Sequence, residues 1–281
     1  MVKNSLSKKI RTILYCVLSF VLSFVLFFLS LSTVFQFTLL NSEFIYGSMN
    51  STSYFLDKRD EVTKSLINLG NASGFDKEFF DGLVDELMVN EDTHSYLKAY
   101  YSGEKQHLDT TNFKRVLNDA IDEYVEEKHI ENINRKNIDY FVSKAALIYR
   151  DTLEIPLYAE LYVYIKSIVK IMPYVLIGLV VFAVIICLVF VLTNKWKHRA
   201  LKYICHATAG AFLSVGLIPT VILLSGKIKQ INLTSRALYD LFVLLGNELC
   251  ITLLVCALFF LVVSFVLYFT HTKMRKEAKH S

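Results

Sequence analysis

Apolar residues are concentrated in four long stretches of the chain, each free of Asp, Glu, Lys and Arg. These stretches are residues 12–41, 171–194, 203–226 and 249–271. At about 1.5 Å per residue, a helix of this length crosses the roughly 30 Å of hydrocarbon in a bilayer. The first stretch is longer than the apolar centre of a cleaved signal peptide, so we interpret it as a retained signal anchor. The pattern predicts four transmembrane helices.

A hydrophilic segment with helical spacing separates the first stretch from the second. Apolar positions predict helices within residues 76–90, 113–125 and 138–149, and a further helix over residues 51–69. The second of these has Asp109, Thr110 or Thr111 as its N-cap, and the third has Asn134 or Asn137. Turns between helices are predicted at Gly70, Asn71, Ser73, Gly74 and Gly103. No alternation of period two is sustained, so no strand is predicted.

The hydrophilic segment runs into the second apolar stretch with few helix-breaking residues. Beyond Pro156, helical spacing continues with Pro173 as the main interruption. We therefore predict one long helix that enters the membrane and is kinked near Pro173. Tyrosines in this region are interpreted as an interfacial aromatic belt, with two lysines extending between them. The residues of this belt are Tyr158, Tyr162, Tyr164, Tyr174, Lys166 and Lys170.

Charge divides the chain more sharply than its formal net charge of +4 suggests. Residues 41–165 hold 23 Asp and Glu against 13 Lys and Arg. Basic residues cluster before the first apolar stretch, between the second and third, and after the fourth. These clusters are Lys3, Lys8, Lys9, Arg11; Lys195, Lys197, Arg199, Lys202; and Lys273, Arg275, Lys276, Lys279. Basic residues near helix ends favour the cytoplasm, so a cell-membrane protein with both termini cytoplasmic is predicted.

These patterns together predict an all-α integral membrane protein. It has four transmembrane helices, with an extracytoplasmic helical-bundle domain between the first and the second. The predicted order is cytoplasmic N-terminus 1–11, first transmembrane helix 12–41, extracytoplasmic helical domain 42–165, second transmembrane helix 166–194, cytoplasmic loop 195–202, third transmembrane helix 203–226, short outer loop 227–248, fourth transmembrane helix 249–271 and cytoplasmic C-terminus 272–281. All five cysteines fall in or beside the apolar stretches, so no disulfide framework is expected in the outer domain.

Residue patterns that carry known chemistry are absent from the sequence. There is no Gly-rich phosphate loop, paired-histidine zinc motif or Gly-x-Ser-x-Gly elbow. The nearest constellation is Glu126 with His129 on a predicted helix, and we interpret it as a solvated helix end. His94 and His107 are interpreted as isolated exposed histidines. We therefore predict a protein that is not an enzyme, with no catalytic residue, cofactor or metal.

Small residues form stripes on two of the apolar helices. Cys16, Ser19, Ser23 and Ser30 lie along one face of the first stretch, and Ala207, Gly210, Ala211 and Ser214 along one face of the third. Small residues allow helices to approach closely in lipid, which favours a packed four-helix bundle or a homo-oligomer seam over a substrate path. The predicted partners are the lipid bilayer and a protein bound at the outer domain. The acidic outer domain disfavours binding to nucleic acid.

Two functions remain open at this point. The first is a non-enzymatic multi-pass membrane protein whose outer helical domain binds a partner or senses a signal, passing movement through the long helix beyond Pro156. The second comes from layout, since one helix, a large outer domain and three further helices resemble the cell-division permease FtsX and MacB-type transporter subunits. That resemblance implies a permease subunit that works with a separate ATPase, bound through residues 195–202 and the basic N-terminus.

Overall fold

The computed structural model describes residues 2–130, 134–194 and 196–280. Within these ranges the chain is all-helical, with 85% of residues in helices and no strand. The α-helices of the described part are α1 (Val2–Phe37), α2 (Ser42–Asn50), α3 (Tyr54–Ser73), α4 (Glu86–Ser102), α5 (Thr111–Glu127), α6 (Arg135–Leu153), α7 (Tyr158–Thr193), α8 (Lys197–Ser225) and α9 (Arg236–His280). Short 3₁₀ helices lie at Lys77–Phe80 and Lys227–Gln230. The predicted all-helical composition is confirmed.

Four of these helices are long and apolar enough to cross a membrane. Their apolar parts are Ile10–Phe37, Tyr158–Thr193, Lys197–Ser225 and Arg236–Glu277. Each covers most or all of one of the four apolar stretches, so the prediction of four membrane-spanning helices is supported by length and composition. Helix α7 continues through Pro173 as one element, as the spacing beyond Pro156 predicts.

The chain divides into two compact units. Unit 1 consists of Met1–Leu39, Lys170–Ile231 and Leu245–Ser281, and unit 2 of Leu40–Val169 and Asn232–Leu244. Unit 1 holds α1, α8 and most of α7 and α9, and unit 2 holds α2 to α6 with the first residues of α7 and α9. Residues Asn232–Leu244, which lie in the predicted short outer loop, thus belong to the same unit as the hydrophilic segment.

In unit 1 the two stripes of small residues pack against each other. Ser19 Oγ on α1 donates a hydrogen bond of 2.7 Å to the carbonyl oxygen of Tyr203 on α8. A methyl group on Gly210 of α8 would lie 2.6 Å from Ser23 Oγ, so α1 and α8 approach closely at this glycine. Ser19, Ser23 and Gly210 are therefore used for packing within one chain, whereas Cys16 and Ser214 are exposed. The homo-oligomer predicted through the stripes stays a prediction.

In unit 2 the helices predicted over residues 51–69, 113–125 and 138–149 are confirmed as α3, α5 and α6. The α6 cap is Asn134, whose side chain accepts from the Lys136 backbone N–H at 3.1 Å. Thr110 occupies the α5 cap position without a side-chain bond. Asp109 instead accepts from the Thr111 backbone N–H at 3.0 Å. One carboxylate therefore satisfies an otherwise unpaired donor of the first turn.

The helix predicted within residues 76–90 is wrong. The 3₁₀ helix Lys77–Phe80 ends before Gly82, which has a φ of 78°, and α4 begins only at Glu86. Asp85 caps α4, because its side chain accepts from the Met88 backbone N–H at 2.6 Å. Helix geometry excludes a positive φ, so the chain turns at Gly82 and the helix starts later.

Gly70, Asn71 and Ser73 lie inside α3, so the turns predicted at these residues are also wrong. A methyl group on Gly70 would lie 2.1 Å from Cζ of Phe80, whose side chain is only 1% exposed. Gly70 is therefore a packing position that admits the Phe80 ring. The turns predicted at Gly74 and Gly103 are confirmed, since both residues end helices in the left-handed conformation.

Candidate functional site

A solvent-facing groove of about 450 Å³ lies in unit 2 between α5 and the turn that follows Lys77–Phe80. We call it the acidic groove. It is lined by Phe79, Asp81, Gly82, Leu83, Val116, Asp119, Ala120, Glu123, Tyr124 and Glu127. Apolar side chains make up its floor, and the carboxylates stand at its exposed rim. No lining residue is basic.

Two parallel stripes on α5 build one side of the acidic groove. Phe113, Leu117 and Ile121 are at most 1% exposed and pack into the core of unit 2. Val116, Ala120 and Tyr124 are spaced four apart and only half-buried, and they form the floor of the groove. Asp119, Glu123 and Glu127 have the same spacing and stand beside them. Residues four apart share a helix face, so α5 presents an apolar stripe beside an anionic one.

The rim of the acidic groove is negatively charged and mostly without cationic partners. Arg115 lies 3.4 Å from Asp119, but both side chains are about two-thirds exposed, which makes this a weak pair. Asp81, Glu123 and Glu127 form no ion pair within the part of the chain that the structure describes. A ligand that brings both positive charge and apolar side chains fits such a surface.

One end of the acidic groove is held in place by an aromatic and ionic cluster. Tyr124 contacts Phe79 edge to face, with ring centroids 5.2 Å apart. Its hydroxyl donates to Asp76 Oδ2 at 3.1 Å, and Lys128 Nζ lies 3.3 Å from the same oxygen. The Lys128 ammonium and then the Tyr124 hydroxyl hold the pKa of Asp76 below its usual range. Asp76 is therefore charged at neutral pH and ties Lys77–Phe80 to α5.

A cluster of tyrosines fills another part of unit 2, where the sequence predicts an aromatic belt. Tyr100 donates to the carbonyl oxygen of Tyr158 at 2.6 Å, and its ring also packs against Tyr162. Lys166 Nζ donates to the carbonyl oxygen of Gly103 at 2.8 Å. These contacts place Tyr158, Tyr162 and Lys166 against α4 and its C-cap Gly103, and their assignment to a belt stays a prediction. Tyr164 and Tyr174 are 67% and 73% exposed and still suit that role.

The buried phenols of unit 2 are unsuited to acid–base chemistry at neutral pH. Burial raises the pKa of Tyr54, Tyr96 and Tyr149, and nearby carboxylates raise it further. Tyr149 donates to Asp92 Oδ2 at 2.7 Å, whereas the buried hydroxyls of Tyr54 and Tyr96 have no hydrogen-bond partner among the described residues. All three phenols therefore stay protonated and act as packing groups or donors.

An ion pair within α3 is partly buried and is hydrogen-bonded to a second segment of unit 2. Lys58 is 3% exposed, and its Nζ lies 2.8 Å from Glu61 Oε2. The other oxygen of Glu61 accepts a hydrogen bond of 2.6 Å from Ser235 Oγ. Residues Asn232–Leu244 are in this way held to α3 within the same unit. A buried ammonium needs such a partner because desolvation of an unpaired charge is costly.

The histidines and carboxylates single out no metal centre. His129 lies beyond the end of α5 with a φ of 51°, so Glu126 and His129 do not share a helix face. His107 Nδ1 lies 3.2 Å from Glu154, and His94 stacks on a tyrosine ring, so neither histidine is isolated. Across the described residues, no three His, Cys, Asp or Glu side chains are grouped to hold a metal ion. The expected absence of a metal and of a cofactor stays a prediction.

No site residue is predicted from the sequence, so the acidic groove is identified from the structure. The sequence pattern that indicates its α5 side is the spacing of Val116, Ala120 and Tyr124 beside the carboxylates. Comparison with protein-family models, curated proteins and solved structures finds no match to this chain. The function of a permease subunit thus stays a prediction. The geometry and charge of the acidic groove are the remaining indications of function.

Proposed function

We propose that this chain is a non-enzymatic multi-pass membrane protein whose unit 2 binds a protein partner in the acidic groove. The observation that carries the proposal is the apolar floor beside a rim of carboxylates with few cationic partners. The complementary partner is a basic amphipathic segment, with apolar side chains for the floor and Lys or Arg for the rim. The exposed rim would guide association, and the floor would provide the buried contact.

We further propose that unit 2 lies outside the cytoplasm and both termini lie inside. The support is the distribution of charge along the chain. Within unit 1 the carboxylates are Glu248 and Glu277, while three groups of Lys and Arg flank its apolar helices. Basic flanks favour the cytoplasm during insertion, whereas a domain as long as unit 2 is translocated largely regardless of its own charge.

Cysteine labelling tests the placement of unit 2. With a membrane-impermeant maleimide on intact cells, we expect labelling of a Ser95→Cys variant and none of a Lys273→Cys variant. Ser95 is exposed on α4 and Lys273 is exposed near the end of α9. The wild-type chain sets the background, because its cysteines lie in the apolar helices. After permeabilisation both variants should label. Labelling of Lys273→Cys alone in intact cells would show that the placement is inverted.

Site-specific photo-cross-linking in native membranes tests the acidic groove. A photo-reactive amino acid at Glu123 should capture a partner, and the same group at Glu91 should not. Glu91 is exposed on α4 and does not line the groove. With the probe at Glu123, Asp119→Lys with Glu127→Lys should lower the yield about tenfold, because like charges would face a basic partner.

The matched control for charge reversal is Glu91→Lys with Glu86→Lys, which makes the same change outside the groove. Its yield from the Glu123 probe should equal that of the wild type. Equal capture from positions 123 and 91, or a yield that the rim reversals leave unchanged, would count against the groove as the binding site.

A further inference from the structure

A second concave site lies in unit 1, at the end where α1 begins. This pocket, of about 700 Å³, is formed by α1, Asn194 at the end of α7, the first turns of α8, and α9. We call it the basic pocket. Among the described residues, four cationic side chains line it, namely Arg11, Arg199, Lys202 and Arg275, and no acidic one does. The three basic clusters of the sequence therefore each contribute to one pocket.

Aromatic packing beneath the basic pocket fixes the position of Arg11. Its Nε donates to the Tyr15 hydroxyl at 2.8 Å, and its terminal nitrogen donates to the carbonyl oxygen of Thr193. The Tyr15 ring lies 5.2 Å from the ring of Tyr203, which stacks in turn on the fully buried Phe190. The guanidinium keeps further N–H groups for a ligand and is already oriented, so little side-chain entropy is lost on binding.

A histidine contact joins the other two sides of the basic pocket. His271 Nδ1 lies 2.6 Å from the carbonyl oxygen of His198, and a carbonyl oxygen only accepts, so the imidazole is the donor. Both histidines line the pocket. This bond connects α9 to the first turn of α8 and sets the separation of Arg275 from Arg199.

The positive charge of the basic pocket has no counter-charge within the described part of the chain. Arg199, Lys202 and Arg275 form no ion pair there. Unpaired arginines that converge on a concave surface suit a phosphate group, which accepts paired N–H donors from a guanidinium.

The pocket also lies at the level where an apolar span ends. The apolar part of α1 begins at Ile10, and Ile10, Ile13 and Leu14 beside Arg11 are 60–63% exposed. Acyl chains can lie against such side chains while a headgroup occupies the pocket. We propose that the basic pocket binds the phosphate group of an anionic membrane lipid. This site is separate from the acidic groove and does not depend on it.

Trp196 is the only tryptophan of the chain, and it provides a local probe for this proposal. It is 47% exposed, and its ring centroid lies 6.0 Å from that of His198 in the pocket wall. In liposomes, phosphatidylglycerol with brominated chains should quench Trp196 fluorescence more than brominated phosphatidylcholine at equal mole fraction. Arg199→Gln with Arg275→Gln should lower the derived lipid preference on the order of fivefold or more.

The matched control is Lys273→Gln with Lys276→Gln, which removes the same amount of charge from two residues beside Arg275 on α9 that do not line the pocket. It should keep the wild-type preference. Quenching by brominated phosphatidylcholine should be unchanged in every variant, which verifies that Trp196 keeps its position. No preference in the wild type, or an equal loss in both double variants, would overturn the proposal.

A soluble competitor distinguishes the source of the phosphate. Inorganic phosphate at millimolar concentration should leave the excess quenching by phosphatidylglycerol unchanged relative to chloride of equal ionic strength. If phosphate alone abolishes the excess, the pocket takes a soluble anion, and the assignment to a lipid is wrong.

Discussion

Replacing Glu61 by alanine should destabilise unit 2 by about 3 kcal/mol, a large part of the stability of a typical domain. The variant leaves the Lys58 ammonium, which is 3% exposed, without its partner at 2.8 Å. It also removes the acceptor of the Ser235 hydroxyl. Because Glu61 is 32% exposed, water can reach part of the site, and we expect the lower end of the range for broken buried pairs.

The neighbouring residue offers a control for this variant. Asp60 lies 2.6 Å from Arg59, but it is 59% exposed. Asp60→Ala should therefore cost less than about 1 kcal/mol. The measurement is hydrogen exchange of the α3 amides in the full-length protein, solubilised in a mild detergent and titrated with urea. If the two variants lose equal amounts of stability, the Lys58–Glu61 pair contributes no more than an exposed ion pair.

A double variant separates an unpaired charge from a simple loss of contacts. Adding Lys58→Met to Glu61→Ala removes the orphaned ammonium, so the double variant should be more stable than Glu61→Ala alone. Exchange in Asn232–Leu244 should increase in both, because both lose the acceptor of Ser235. A double variant that is less stable than the single one would exclude the buried charge as the cause.

The reliability of the sequence predictions in unit 2 depends on what each helix buries. In α5 the residues Phe113, Leu117 and Ile121 form one fully apolar stripe, and hydrophobic spacing reveals it. In α4 the buried positions include Thr93, Tyr96 and Tyr100. Tyrosine occurs in cores, at lipid interfaces and at surfaces. The spacing of the tyrosines in α4 therefore does not identify its buried face.

Only one side of the acidic groove can be predicted from the sequence. The α5 side follows from the spacing of neighbouring residues in one helix. The opposite side depends on where Phe79 and Asp81 are placed by the turn at Gly82 and by the packing of Phe80 on Gly70. Those contacts join residues on different elements, and no local pattern encodes them.

Replacing Gly70 by alanine should destabilise unit 2 by about 2 kcal/mol, although alanine is the better helix former. The added methyl group would lie 2.1 Å from Phe80 Cζ and 2.3 Å from Cε2. Phe80 has little room to retreat, because its ring is 1% exposed and lies 4.9 Å from the ring of Phe79. Since Phe79 and Asp81 flank Phe80, the clash should also displace one wall of the acidic groove.

Gly47→Ala is the matched control, and it should change stability in the opposite direction. Gly47 is exposed within α2, and an added methyl group meets no atom within 4 Å. Only helix propensity then remains, and we expect a gain of up to about 1 kcal/mol. Urea titration with hydrogen exchange of α3 measures the Gly70→Ala cost, and exchange of α2 measures the Gly47→Ala gain. If Phe80→Leu restores part of the stability lost in Gly70→Ala, the aromatic ring is the group that meets the methyl. If both alanine variants gain stability, Phe80 does not pack on Gly70 in solution.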